Sequence, residues 1–330
     1  FRGRPNFRYQ KWGMNNAGFR GPDIAPTPAP GVTRVVIMGA SESFGLYETE
    51  GAEYPARLQT LLDSVARGKF EVINAALPGL TLLSMEPYLR RVVLPLEPTL
   101  VMVYMSPSFY LEPTPPPLEY KPLPPAEPRM IRVAGLELEP GALDSRFGAK
   151  FRDVLKELVP SFVVAKIREW KLARKRAAHP GDWVWTSVPQ ERMELMRAHL
   201  RKLIETAQQN GVQLALVTHT NRFTSAPEDS AGPARRHLTN LASLYYPQAT
   251  PRVLIMVDSA ANQVMRDVAG EYGVTVIEAE GRIPSDSRHF ADYAHFTDRG
   301  ADVMARILAT SILAPLSPSS DSKPGWTSSR

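Results

Sequence analysis

The sequence predicts an α/β protein built on a parallel sheet with helices over both faces. Three observations predict it. Short, continuously apolar, β-branched runs recur along the 330 residues, as strands buried on both faces require. Helix-compatible segments separate these runs, so successive strands are expected to run the same way. Several runs give way to small or polar residues, which would place those residues on the carboxyl edge where open α/β sheets keep their ligands.

Residues 1–30 read as an irregular arm. Phe1-Arg2-Gly3-Arg4-Pro5 is basic, Asn15 to Gly21 is rich in Gly and Asn, and Pro26, Pro28 and Pro30 make a stiff linker. Phe19 and Arg20 are expected to staple the arm to the domain. The domain spans 31–316. Arg34 to Met38 is its first strand, closed by Gly39-Ala40-Ser41. Helix-compatible sequence continues to about Arg67, with a helix inside Tyr54 to Ala66. Phe70 to Asn74 is the second strand, Leu82 to Val92 a helix, and Leu100 to Tyr104 the third strand.

An insertion follows at 111–188. Its first part, Glu112 to Pro128, is too rich in proline for helix or central strand and reads as a polyproline-type arm. Arg129 to Phe147 suggests a short hairpin, and Lys150 to Ala178 a helix. At the carboxyl edge, such an insertion would sit over the site as a lid. Gln190 to Asn210 is a helix with Gly211 as its stop signal. Val212 to Val217 is the fourth strand. Thr224 to Gln248 reads as loop plus short helix, Val253 to Glu271 as helix, and Val274 to Glu278 as the fifth strand. Ala301 to Leu313 is the terminal helix, and 317–330 is a Ser/Pro-rich tail expected to be disordered.

The absence of cysteine excludes disulfides, thiolate metal sites and cysteine catalysis. A net charge of +5 permits nucleic-acid binding, but no nucleic-acid motif accompanies it, and none is expected. Gly39 to Gly45 lacks the Lys-Ser/Thr of a phosphate-binding loop. No apolar run is long enough to span a membrane. The first residue is Phe1, which reads as a product trimmed of a signal or anchor.

Two stretches carry chemistry. Ser41 ends the first strand, where it is placed either as a nucleophile or as the cap of the next helix. Taken alone, the stretch favours the cap. Near the other end, Asp292-Tyr293-Ala294-His295 precedes the terminal helix. A Ser nucleophile needs a base, and the base needs a carboxylate to fix its tautomer. Asp286, Asp292 and His295 can also be read as metal ligands, but no second ligand cluster supports that. His179, His199 and His237 have no metal spacing, and His289 reads as a surface residue.

Together, Gly39-Ala-Ser-Glu-Ser43 and Asp292-x-x-His295 resemble the GDSL, or SGNH, hydrolase family, over roughly Val32 to Leu316. The stretch is not the Gly-x-Ser-x-Gly elbow of α/β-hydrolases. The resemblance implies a flavodoxin-like three-layer α/β/α sandwich with strand order 2-1-3-4-5. It implies Ser41 as nucleophile, His295 as base and Asp292 as its orienting acid. The backbone N–H groups of Ser41 and Gly79 would bind the oxyanion, and no cofactor would be used. The arm's Asn-x-x-Gly-Phe-Arg-Gly-like segment is similar to one in exported bacterial relatives.

There are two departures. Ala40 stands where the family often has Asp. Ser106-x-Ser108-Phe109 stands where it has Gly-x-Asn-Asp, so the Asn that donates to the oxyanion is missing. Ser106 or Ser108 would offer a hydroxyl on a shorter arm. His219 and Asn221, after the fourth strand, either line the pocket, with Asn221 replacing the lost donor, or bond nearby backbone.

The implied activity is a serine esterase or acyltransferase acting on an acylated small molecule, envelope glycan or lipid. The alternative is a weakened or inactive binding or scaffold subunit of a cell-envelope assembly. Either implies a periplasmic or extracellular protein, held at the membrane through a missing N-terminal segment or not. Residues 166–176 carry six basic side chains and Glu169 among apolar ones. They suit an anionic membrane or protein partner, or a plain solvated face.

Overall fold

The computed structural model describes residues 3–112, 131–133, 136–138, 161–223 and 233–314. The proline-rich stretch, most of the expected hairpin region, the first part of the insertion helix, the side chain of His237 and the C-terminal tail lie outside the described residues.

Two short strands, β1 (Arg8–Tyr9) and β2 (Trp12–Gly13), form a small antiparallel hairpin in the arm, so the arm is less irregular than expected. The main sheet begins with β3 (Thr33–Gly39). A one-turn helix α1 (Ser41–Phe44) and helix α2 (Tyr54–Val65) lead to β4 (Phe70–Asn74). Gly45, with φ of +85°, closes α1 in the left-handed region, so the helix does not run on towards Arg67.

Helix α3 (Leu82–Tyr88) stops short of the expected Val92. Pro87 removes a backbone donor inside it, and the chain widens into a π-turn over Leu89–Val93. Strand β5 (Leu100–Tyr104) follows, and β6 (Ile131–Val133) and β7 (Leu136–Leu138) form a hairpin within the insertion. The described part of the insertion helix is α4 (Ser161–Ala177). Then come α5 (Gln190–Gln209), β8 (Gln213–Val217), α6 (Pro233–Leu244), α7 (Pro251–Tyr272), β9 (Thr275–Ile277) and α8 (Asp298–Leu313).

The five-stranded sheet has the order β4-β3-β5-β8-β9, and every pairing in it is parallel. Counting sheet strands alone, this is 2-1-3-4-5. Side-chain alternation divides the core in two. Val35, Ile37, Met102, Tyr104 and Val217 face α2 and α8, whereas Val36, Met38, Val101, Val103 and Leu216 face α3, α5 and α7. The result is a three-layer sandwich that delivers the carboxyl ends of β3, β5 and β8 to one edge.

The arm is anchored by charge as well as by packing. Arg20 is buried against Glu53 at 3.0 Å and donates to the carbonyls of Phe44 and Gly45. Phe19 lies in the core beside it. The arm therefore grips the loop that follows α1.

Candidate active site

Ser41 is the first residue of α1, and Ala40, which lacks a capping side chain, occupies the cap position. Ser41 is thus not the helix cap, and its hydroxyl is free for other contacts. Gly39 is required by its surroundings, since a Cβ there would collide with Ser43 and with the carbonyl of Tyr104. The strand can therefore turn tightly into α1 and hold Ser41 at the sheet edge.

His295 comes from the loop before α8. Its Nε2 lies 2.8 Å from Ser41 Oγ, and its Nδ1 lies 2.8 Å from Asp292 Oδ2. Asp292 Oδ1 accepts from the backbone N–H groups of Ala294 and His295, at 3.1 and 3.0 Å. This local turn explains the spacing of three: the carboxylate folds back onto its own loop and meets the imidazole there. Ser41, His295 and Asp292 are brought into one hydrogen-bonded line.

Burial disfavours a charged His295. The hydrogen bond to Asp292 and the charges of Glu42, Asp292 and Glu48 outweigh it and lift the imidazole above the usual histidine range. Burial likewise works against an ionised Asp292, but its bond to His295 holds it below the usual carboxylate range. The ring of Tyr47 lies 5.3 Å from that of His295.

The three residues open onto a cavity of about 670 Å³. Gly79, Ser106 and Ser108 line it too. Gly79 has φ of +80°, which favours glycine, and a Cβ there would meet only open space. The backbone conformation, rather than crowding, selects this glycine. Ser41, at the start of its helix, has an N–H without an acceptor inside the helix. Ser108 Oγ accepts from the Tyr246 hydroxyl at 3.0 Å and lies 3.2 Å from Ser106 Oγ. These hydroxyls reach the cavity wall but are already engaged with one another.

His219 and Asn221 do not line the cavity. Both are fully buried beneath it. His219 Nδ1 lies 2.9 Å from Asp258 Oδ2, and Asn221 donates to the same carboxylate at 2.5 Å. Asp258 and Asn262, on α7, take up the polar groups at the end of β8 from below. Asn221 is therefore not a replacement oxyanion donor. His289 is half-buried rather than superficial, paired with Asp286 at 2.8 Å. His199 meets the Tyr110 hydroxyl at 2.7 Å, and the ring of His179 packs edge-on against Trp183.

Sequence reading missed four contributors. Asn240 and Arg168 line the cavity from α6 and α4, Tyr246 braces Ser108, and Glu42 turns inward beside Ser41. Nothing local marks them, because each reaches the site from a separate element or against the expected polarity of its position. Only the position of α4 after the third strand hinted that the insertion would meet the cavity.

No protein-family model and no curated protein sequence matches the chain. Several solved structures are similar to it. A catalytic mutant of an acetylxylan esterase from Geobacillus stearothermophilus is 11% identical, over 92% of this chain and 100% of that one, with a TM-score of 0.49. A lipase/acylhydrolase from Enterococcus faecalis is 14% identical, over 88% and 100%, with a TM-score of 0.47. An α/β-hydrolase enzyme from the metagenome of Lake Arreo, Spain, is 13% identical, over 85% and 96%, with a TM-score of 0.45.

Proposed function

We propose that this chain is an SGNH-type serine esterase or acyltransferase. The observation that carries the reading is the line Ser41 Oγ, His295, Asp292, with 2.8 Å at each end of the imidazole. Ser41 Oγ attacks the ester carbonyl carbon as its proton passes to His295 Nε2. Asp292 stabilises the imidazolium that results. The tetrahedral intermediate places its oxyanion against the Ser41 and Gly79 N–H groups. On collapse, the ester C–O bond breaks and the leaving alcohol takes the proton from His295, leaving an acyl group on Ser41. Water or an acceptor hydroxyl then gives its proton to His295 and takes the acyl group, so hydrolysis and transfer share one intermediate.

The cavity suits an acylated molecule with a polar or anionic part. Leu46, Tyr47, Phe109, Leu241 and Leu244 offer apolar contact, and Arg168 offers a cation. An ester on an envelope glycan or lipid fits both, and a protein acting on it would work outside the cytoplasm. The exposed faces of Ile167, Trp170, Leu244 and Tyr245 near this mouth, with Lys166, Lys171, Arg174 and Lys175 on α4, support an approach to an anionic lipid surface.

One observation favours a second reading, a weakened enzyme kept as a binding subunit. Ser108, where the family has Asn, is a short hydroxyl already held by Tyr246. Loss of one oxyanion donor typically costs about 10²–10³ in rate.

Fluorophosphonate labelling separates the two readings. The enzyme labels at Ser41 and loses the label in Ser41→Ala and His295→Ala. Ser108→Asn should label faster, because an amide reaches further than a hydroxyl. A wild type that stays unlabelled, with Ser108→Asn no better, would leave the binding reading in its place.

A further inference from the structure

Glu42 follows Ser41 directly, yet its side chain points into the protein and is only 4% exposed. One oxygen accepts from Ser41 Oγ at 3.3 Å, and the other lies 3.6 Å from His219 Nε2. His219 is held at its Nδ1, its ring face and its backbone. Its Nδ1 meets Asp258, its ring stacks on Tyr104 at 5.0 Å, and its backbone exchanges hydrogen bonds with Asn262. Two carboxylates and an imidazole are thus buried together under the nucleophile. Burying such groups is expensive, and the acyl-transfer steps described above use none of them.

We propose that Glu42 is a positioning residue for Ser41 and His295, a second carboxylate held in place by the buried His219–Asp258 pair. The inference rests on the reading of Ser41 as nucleophile and His295 as base.

The hydroxyl of Ser41 lies between two acceptors, His295 Nε2 at 2.8 Å and Glu42 at 3.3 Å. It has one proton to donate and lone pairs to accept with. With His295 neutral, Ser41 donates to Nε2. With His295 protonated, Nε2–H donates to Oγ and the hydroxyl proton turns to Glu42. Glu42 therefore favours the imidazolium twice, through this two-bond chain and through its charge. The two-bond chain acts in the resting enzyme; once His295 has taken the serine proton, only the charge of Glu42 still favours the imidazolium.

A carboxylate shut away from water would ordinarily take up a proton. The charge of His219 opposes this and holds Glu42 below the usual carboxylate range. Asp258 and Glu42 in turn hold His219 above the usual histidine range, against its burial. The groups facing His295 are Asp292 of its own loop, Glu42 of α1, and Tyr47 and Glu48 of the loop after α1. Those facing Glu42 are His219, His295, Asp258 behind His219, and the hydroxyls of Tyr54, Tyr104, Tyr246 and Tyr293.

The test is the imidazole pKa of His295, followed by NMR in wild type and in Glu42→Gln, which keeps shape and removes charge. The value should fall by about one unit. The acid limb of kcat/KM should move to lower pH by the same amount, with kcat reduced and KM unchanged. Asp258→Asn, which weakens the charge on His219 and lets Glu42 protonate, should move His295 the same way, and it serves if Glu42→Gln does not fold. Folded variants in which His295 and the acid limb stay put would overturn the proposal and leave Glu42 a packing partner of His219. The NMR titration needs no turnover. A wild type that neither labels nor turns over, with His295 still shifting in Glu42→Gln, would remove the esterase reading alone and leave the action of Glu42 on His295 standing.

Discussion

Asp298 holds Thr49 by two hydrogen bonds, one from the backbone N–H and one from the hydroxyl, both 2.7 Å long. Thr49 belongs to the loop after Ser41, and Asp298 opens the helix after His295. The clamp therefore ties the loop that follows Ser41 to the loop that carries His295. Asp298→Ala should lower stability by about 1–2 kcal/mol, from the lost bonds and the lost charge at a helix N-terminus. It should also slow turnover of an activated ester several-fold. Asp302→Ala, one turn further along α8 and paired with the exposed Arg306, is the control and should do much less. Thermal melts and initial rates on p-nitrophenyl acetate read both effects.

Asp292→Asn removes the charge that lifts His295. With His295 as the proposed base, catalysis would need it neutral, so wild-type activity should fall as pH drops through the raised imidazole pKa. In the Asn variant that pKa is lower, and the acid limb should shift to lower pH. The plateau should also drop by at least about 10²-fold, because the tautomer is no longer enforced. A pH–rate profile of both proteins checks the shift and the drop together.

Glu48 is 1% exposed, and burial pushes its carboxyl up to about 7 from an ordinary 4.5, against the pull of local N–H groups, Arg20 and His295. Its folded-state pKa lies above the unfolded one, so the fold favours the protonated form. Stability is fully present below the ordinary value, is lost as pH rises towards the folded value, and stays lost above it. The ceiling on that loss is about 3 kcal/mol. Glu48→Gln should melt higher than wild type near pH 8 and almost equally near pH 4. Melting curves across that range decide it.

The basic helix α4 divides by role. Arg176 donates to the carbonyls of Pro247 and Ala249, at 3.0 and 2.7 Å, so it serves the fold. Lys171, Arg174 and Lys175 are exposed. Vesicles containing phosphatidylserine should bind the protein at low salt and release it as salt rises. Reversing the charge of Lys171, Arg174 and Lys175 should abolish binding without changing the melt. Binding that survives the reversal would make this a plain solvated face.

The sheet was legible because its central strands are buried on both faces. Phe70 to Asn74, apolar but for Glu71 and Asn74, and the wholly apolar Leu100 to Tyr104 have limits in sequence that are their limits in space. Asp292 and His295 were legible because their contact is local to one turn. Glu42 was not. A glutamate after a loop serine reads as solvent-facing, and what draws it inward is His219 and Asp258, brought from β8 and α7 by the sheet order. His219 and Asn221 were placed at the correct edge with two readings open, and the structure takes the second, bonding to nearby groups, since Asp258 and Asn262 take up their polar groups from below. The break in α3 turns on Pro87, whose effect depends on where the packed helix can widen.

Ser41 and His295 are 254 positions apart, and the helix that follows His295 also covers Tyr54, Leu58 and Leu62 of α2. A nascent chain emerging from the ribosome would complete four of the five sheet strands before β9, His295 or α8 exists. Until then that side of the sheet is covered by α2 alone, and Ser41 lacks its His295 partner. Reactivity at Ser41 should therefore report the last docking event of folding, and a chain halted before His295 would be both aggregation-prone and unreactive.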